Sequence, residues 1–240
     1  MTSQNLPKSR KINVRFFLHK KLEPIVIHVG SKKRKGYPLY LYITYNRKNM
    51  QFKSSHSMWY ADMEDVERQS PGLMDREIKL INQIIRYEET LLKVDAEYVM
   101  KGFKERYDDY SVSIRDVLEK YLKVKLQFEI KRTDSPLLHV LDFRPDKGLA
   151  DFEALYEAAQ KLYGNLFETM DNNIRKQLDW YCAHVATFKS KGKHDFPSLI
   201  DWHDGSFRSE IVQAGRMTKN ELSIMDTTID NAIDHYLKQK

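Results

Sequence analysis

Three short stretches near the N-terminus carry hydrogen-bonding side chains at alternate positions, with Phe17 the one exception. The side chains are amides, a guanidinium, an ammonium, an imidazole and hydroxyls, and such groups pair with base edges and phosphates in nucleic acids. They are Asn13, Arg15 and His19 in the first stretch, Tyr40, Tyr42 and Thr44 in the second, and Asn49, Gln51 and Lys53 in the third. The set could recognise a polyanion if one element held all of it on a single surface.

A run of four basic residues, Lys32-Lys33-Arg34-Lys35, precedes Gly36 between the first and second stretches. We predict that the run forms the tip of a loop. Beside a basic surface, such a loop could clamp a phosphate backbone and add affinity without base specificity. Taken alone, the run is equally typical of a solvated loop.

Charge is divided unevenly along the chain. Residues 1–55 hold thirteen Lys and Arg against one acid, Glu23, a balance of +12; since the whole chain carries +6, residues 56–240 carry −6. A small basic region joined to a mildly acidic body favours binding to a polyanion. The alternative is an ordinary antiparallel sheet with one solvated polar face.

Alternation of apolar and polar residues predicts strands over Ile12–Leu18, Tyr37–Tyr45 and Lys48–Ser54. Asn46 and Arg47 separate the last two by a hairpin-length gap. Arg at positive φ costs about 1 kcal/mol, so a turn longer than two residues is also open. Pro24–Val29 could add a short edge strand.

The string from Lys35 to Phe52 resembles the N-terminal arm-type DNA-binding domain of tyrosine recombinases, the integrases of phages and Bacteroidetes transposons. Its residues are KGYPLYLYITYNRKNMQF, and the preceding KINVRFFL, Lys11–Leu18, is similar to the family's opening strand. Trp59 stands for the tryptophan after strand three, and Arg76–Asn82 for the start of the long helix. The resemblance covers roughly residues 10–95. It implies a three-stranded sheet backed by a helix, with the exposed face bound to DNA.

The sequence departs from the family pattern at three places, and these departures affect the expected base contacts more than the expected fold. Tyr42 stands where the family usually has Arg, and Arg47 replaces the turn glycine. The family's Ser-Thr-Gly reads Ser54-Ser55-His56 in this chain.

The catalytic residues of a tyrosine recombinase are not found in the sequence. Such an enzyme needs a His-x-x-Arg motif and a nucleophilic Tyr that attacks phosphorus. His184 is followed by Val-Ala-Thr, and Tyr236 lies at helical spacing from Ile229 and Ile233, which indicates packing. The turn-rich segments Thr133–Pro136 and Arg144–Gly148 predict a joint between domains. About 100 residues follow this joint, too few for that catalytic domain. We therefore expect no enzymatic activity.

Other chemistry has weak support. His194, Asp195, Asp201, His203 and Asp204 could bind a divalent metal, but their spacing matches no known motif, so we predict no metal and no cofactor. The single cysteine, Cys182, excludes an internal disulfide and is predicted to be buried in a helix.

The remainder of the chain has helical periodicity. We predict a helix from the Ser70-Pro71 pair to about Val94, one starting at Ser113, an apolar stripe over 152–170, and helices capped by Asp171 and by the Thr218/Glu221 capping box. The predicted domains are a basic arm-like sheet at 1–68, backing and linker helices at 69–132, and a helical bundle at 137–240.

The resulting prediction is an α+β protein: a three-stranded antiparallel sheet with a backing helix, then an all-helical domain. Its expected function is non-catalytic binding of double-stranded DNA, either as the remnant of a mobile-element recombinase or as an accessory factor whose helical domain binds a protein partner. The predicted contacts are Arg15, Tyr40, Tyr42, Asn49, Gln51 and Lys53 on the sheet, with Lys32, Lys33, Arg34 and Lys35 on the loop. The alternative is a protein-protein interaction module with a basic surface. No apolar run reaches membrane-spanning length and no secretory signal is seen, so a cytoplasmic protein is expected.

Overall fold

The computed structural model describes residues 11–55, 58–93, 96–132, 152–162, 164–189 and 197–240. The chain divides into two compact units, Met1–Ser111 and Val112–Lys240. The first unit combines an antiparallel sheet with helices, and the second is helical. The predicted α+β class is therefore confirmed.

Unit 1 is built around one long strand. Its strands are β1 Asn13–Leu18, β2 Ile25–Val29, β3 Lys32–Tyr45, β4 Lys48–Lys53 and β5 Trp59–Tyr60. Its helices are α1 Met63–Gln69, α2 Leu73–Thr90 and α3 Phe103–Tyr110. Strand β3 pairs antiparallel with each of the other four strands.

The sheet is larger than the three strands predicted. The expected strands are present as β1, the second half of β3, and β4, and the suggested edge strand is present as β2. The predicted loop at Lys32–Lys35 is wrong, because these residues form the first part of β3 and pair with β2. Asn46 and Arg47 both have positive φ, 50° and 61°, so the hairpin turn has only two residues, as in a type I′ turn.

The apolar side of the sheet is covered by helices of the same unit. Leu39, Leu41 and Ile43 alternate along β3 and have no exposed surface. The ring of Phe52 on β4 lies 6.2 Å from that of Phe103 and 5.3 Å from that of Tyr107, so α3 packs on this side. Burial of these side chains is what fixes the opposite face of the sheet toward solvent.

Helix α2 also contacts the apolar side, but it begins later than predicted. Tyr45 donates a hydrogen bond from the end of β3 to Glu89 near the end of α2. The helix starts at Leu73 after Gly72, and Ser70 is the C-cap of α1 rather than an N-cap.

Unit 2 contains α4 Ile114–Arg132, α5 Phe152–Leu162, α6 Gly164–Thr169, α7 Asn172–Phe188, α8 Leu199–His203, α9 Ser206–Ala214 and α10 Lys219–Lys238. Asp171 caps α7, and Thr218 with Glu221 forms the predicted capping box of α10. Segment 137–151 of the predicted bundle lies outside the described residues.

Helix α4 belongs to unit 2 rather than to the linker predicted at 69–132. Leu118, Leu122 and Leu126 on α4 are fully buried in the same apolar cluster as Met225 and Ile229 of α10. The boundary therefore lies near residue 111, because α4 buries its apolar side against the C-terminal helices. Within the described residues, no helix has an apolar stretch long enough to cross a bilayer.

Candidate nucleic-acid interface

Nine side chains from β1, β3 and β4 form a grid on the side of the sheet away from the core. Residues directly opposite each other on antiparallel strands share one face. The pairing gives three rows: Asn13, Thr44 and Asn49; Arg15, Tyr42 and Gln51; and Phe17, Tyr40 and Lys53. We call these nine residues the open face; each is half-buried or exposed.

The middle row of the open face presents three polar side chains on the side of the sheet away from the core. Arg15 and Gln51 are exposed and Tyr42 is half-buried between them. None of the three side chains forms a hydrogen bond or ion pair with another described residue. A guanidinium, a phenol and an amide are thus presented side by side, within about 10 Å across three strands.

The third row is aromatic and is held by neighbouring rings. The ring of Tyr40 lies 5.9 Å from Phe17 and 4.7 Å from His19. The Lys53 ammonium lies 5.8 Å from the centre of the Trp59 ring, a cation–π contact. These contacts give Tyr40 and Lys53 neighbours that restrict their rotamers.

The basic run does not act as one charged loop, because it is part of a strand. Strand alternation places Lys32 and Arg34 on the same side of β3 as Tyr40, and Lys33 and Lys35 on the other side. All four are exposed. Arg34 forms an ion pair of 3.3 Å with Asp62, whereas the three lysines form no ion pair with any described residue. Ten predicted contact residues are therefore divided between two sides of the sheet, eight on one and two on the other.

A buried carboxylate anchors the strand that carries Lys53. Glu77 of α2 is 4% exposed and accepts hydrogen bonds from Ser54 Oγ at 2.7 Å and from the N–H and Oγ of Ser55. Tyr107 on α3 donates to the same oxygen at 3.3 Å. The other oxygen, Oε2, is buried without a hydrogen bond among the described residues. Burial raises the pKa of Glu77, although the serine and tyrosine hydrogen bonds partly offset this effect.

This anchor was missed by the sequence analysis, yet the sequence contains a signal for it. Glu77 lies four residues before Ile81 and seven before Ile84, and both isoleucines have no exposed surface. The helical period therefore places Glu77 on the buried side of α2. Its polar partners could not be found from the sequence, because they come from β4 and α3.

His184 and Tyr236, which were compared with recombinase catalytic residues, both contact other side chains of unit 2. His184 contacts Glu221 at 3.2 Å, and Tyr236 packs against the apolar cluster of unit 2. Burial raises the pKa of the Cys182 thiol to about 12, which disfavours the reactive thiolate.

The candidate metal segment is only partly described. Asp201 accepts hydrogen bonds from Ser198 in the capping box of α8, and Asp204 accepts one from the N–H of Ser206. His194 and Asp195 lie outside the described residues. Among the residues that are described, no group of three or more His, Cys, Asp or Glu could hold a metal ion.

No protein-family model, curated protein or solved structure matches this chain. The resemblance to integrase arm domains therefore stays a prediction that rests on the residues quoted for it.

Proposed function

We propose that this chain is a non-catalytic DNA-binding protein that uses the open face, in the manner of an integrase arm-binding domain. The observation that carries the proposal is the register of β1, β3 and β4. It brings Arg15, Tyr42 and Gln51 together on a solvent-facing side, although they come from three separate stretches of sequence.

Electrostatics support a polyanionic ligand for this face. The nine positions include Arg15 and Lys53 and no acid, and alternation adds Lys32 on the same side, together with Arg34, whose charge is balanced by Asp62. An ordinary solvated face mixes both signs of charge. A patch of one sign attracts nucleic acid by releasing counterions from its backbone.

The chemistry of the middle row suits base edges better than phosphates alone. Arg pairs with guanine O6 and N7, and Gln pairs with adenine N6 and N7, in each case through two hydrogen bonds. Lys53, and Lys32 at the far end of β3, would contribute phosphate contacts, which position a protein without specifying sequence. We therefore assign sequence preference to Arg15 and Gln51 and general affinity to the lysines.

The test is a salt titration of duplex binding by fluorescence anisotropy, with a duplex selected from a random-sequence library. The wild-type chain should show log affinity falling steeply as log salt rises. Arg15→Ala should weaken binding to the selected duplex by about 1–3 kcal/mol. Gln51→Ala should lower affinity for the selected duplex while leaving the salt slope unchanged, because an amide displaces no counterion.

A matched control comes from the other side of the same unit. Lys79 is exposed on α2, and Lys79→Ala should leave both affinity and salt slope at wild-type values. The proposal fails if the wild-type chain shows no salt-dependent binding, or if Arg15→Ala and Lys79→Ala behave alike.

A protein-interaction role is the second candidate, and one observation favours it. Lys33 and Lys35 lie on the side of β3 away from the open face. DNA bound to the open face would therefore not contact these two lysines. Basic residues on both sides of the sheet are what an interaction module with a basic surface would show.

A further inference from the structure

Strand β2 is an edge strand that lacks the usual protection against pairing with another chain. Among the described residues it pairs only with β3. Edge strands are normally shielded by charged residues, proline or a bulge. The sequence of β2, IVIHV, has no proline and no residue of fixed charge. Ile25 is 43% and Val26 is 69% exposed, so two large apolar side chains accompany the unpaired backbone.

The same strand is bordered by two lysines of β3. Lys35 lies opposite Val26, and Lys33 lies opposite His28, so these four residues share one side of the β2–β3 hairpin. Both lysines are exposed and neither forms an ion pair with a described residue. This is the side of β3 that the open face does not use.

Close packing holds β2 against β3 on its inner edge. A Cβ atom at Gly36 would lie 2.7 Å from Cγ2 of Ile27, so the Ile27 side chain rests directly on the Gly36 backbone. No larger residue fits at position 36 without displacing Ile27. The inner edge of β2, which faces β3, is therefore closely packed. The backbone of the outer edge is not paired with any described strand and could accept a ligand.

We propose that the outer edge of β2 binds an extended acidic segment of a partner protein as an additional strand. Main-chain hydrogen bonds would supply affinity, and alternate side chains would supply specificity. An added strand lies about 10 Å from β3, two strand spacings away. Extended Lys and Glu side chains together span that distance, so carboxylates on the added strand can reach Lys35 across the short Val26 and Lys33 beside His28.

Charge argues against a second copy of this chain as the occupant. Two β2 edges paired with each other would place the β3 lysines of the two copies three strand spacings apart, and β2, with the sequence IVIHV, offers no carboxylate to pair with them. The site is also independent of the proposed DNA function, because its cations lie on the other side of β3.

The experiment uses the full chain and a fluorescein-labelled peptide of sequence Glu-Val-Glu-Thr-Glu-Val-Glu-Thr. We expect saturable binding by anisotropy, with slowed amide hydrogen exchange confined to β2 and its hairpin. The double variant Lys33→Glu/Lys35→Glu should lose at least ten-fold in affinity. It should instead bind the matching peptide in which Lys replaces every Glu, a gain that misfolding would not produce. Lys79→Glu should keep the wild-type preference.

Several outcomes would overturn this assignment. They are no binding of the acidic peptide, protection of amides elsewhere than β2, unchanged affinity in the double variant, or displacement of the peptide by duplex DNA. A dimer in sedimentation velocity that dissociates when the peptide is added would identify a second copy as the natural occupant and would also overturn it.

Discussion

Arg15 and Gln51 lie 36 positions apart in the chain, but both flank Tyr42 in one row of the sheet. At the level of single residues, the rows of the open face differ in the contacts that their side chains make. The middle row has no partner among the described residues, whereas Tyr40 and Lys53 are held by rings. On the core side of the sheet, the Glu77 carboxylate accepts hydrogen bonds from Ser54 and Ser55 and so holds the end of β4 in place.

Glu77 gives a prediction about pH. Burial raises the pKa of Glu77 above its usual value of 4.5 in the folded chain. The unfolded chain therefore releases this proton first as pH rises, and the free energy of unfolding falls between pH 4.5 and the raised pKa. Glu77→Gln cannot ionise, so its free energy of unfolding should fall less over that interval.

Urea denaturation at a series of pH values measures this difference. Glu105→Gln, on the exposed side of α3, is the matched control and should keep the wild-type dependence. Equal pH dependence in wild type and Glu77→Gln would contradict a raised pKa at Glu77.

At the level of elements, the sequence predicted strands wherever apolar and polar residues alternate. The second half of β3 follows that rule, because Leu39, Leu41 and Ile43 face the core. Apolar and polar residues do not alternate in Lys32–Lys35, because cationic side chains can face solvent on both sides of a strand. Pairing with β2 decides that this segment is a strand. Strand β5 has only two residues, too few to show a period.

The β3–β4 turn gives a prediction about stability. Arg47 has φ of 61°, a conformation that costs an ordinary side chain about 1 kcal/mol and glycine almost nothing. Arg47→Gly should therefore raise the free energy of unfolding by about 1 kcal/mol.

Arg47→Ala is the matched variant, because it removes the same side chain but keeps a Cβ at positive φ. It should give no such gain in urea denaturation. A gain of equal size in both variants would attribute the effect to the lost charge rather than to backbone conformation.

At the level of the whole molecule, the unit boundary was the part that sequence periodicity could not place. An amphipathic helix shows that it has a buried side, but not which neighbours cover it. Leu118, Leu122 and Leu126 could have faced the sheet, yet they pack in the core of unit 2. The six sheet residues predicted to contact DNA, in contrast, share one side of the sheet, as their local alternation indicated.

Fragments ending before and after α4 test this boundary. Residues 1–111 should fold and show the salt-dependent DNA binding proposed for the full chain, because the sheet and its covering helices lie within unit 1. Residues 1–132 should self-associate, since α4 would expose the apolar side that unit 2 normally covers. Circular dichroism and sedimentation velocity report these properties. A monomeric, better-folded 1–132 fragment would place α4 with the sheet instead.

The central position of β3 has a consequence for how this chain can change in evolution. Every other strand takes its register from β3, and the side chains of β3 alternate between core and solvent. Losing or gaining one residue within β3 would turn Tyr40 and Tyr42 inward and Leu41 outward. Its sequence can therefore change by substitution at the outward positions, whereas a change in its length needs a β-bulge to restore the register.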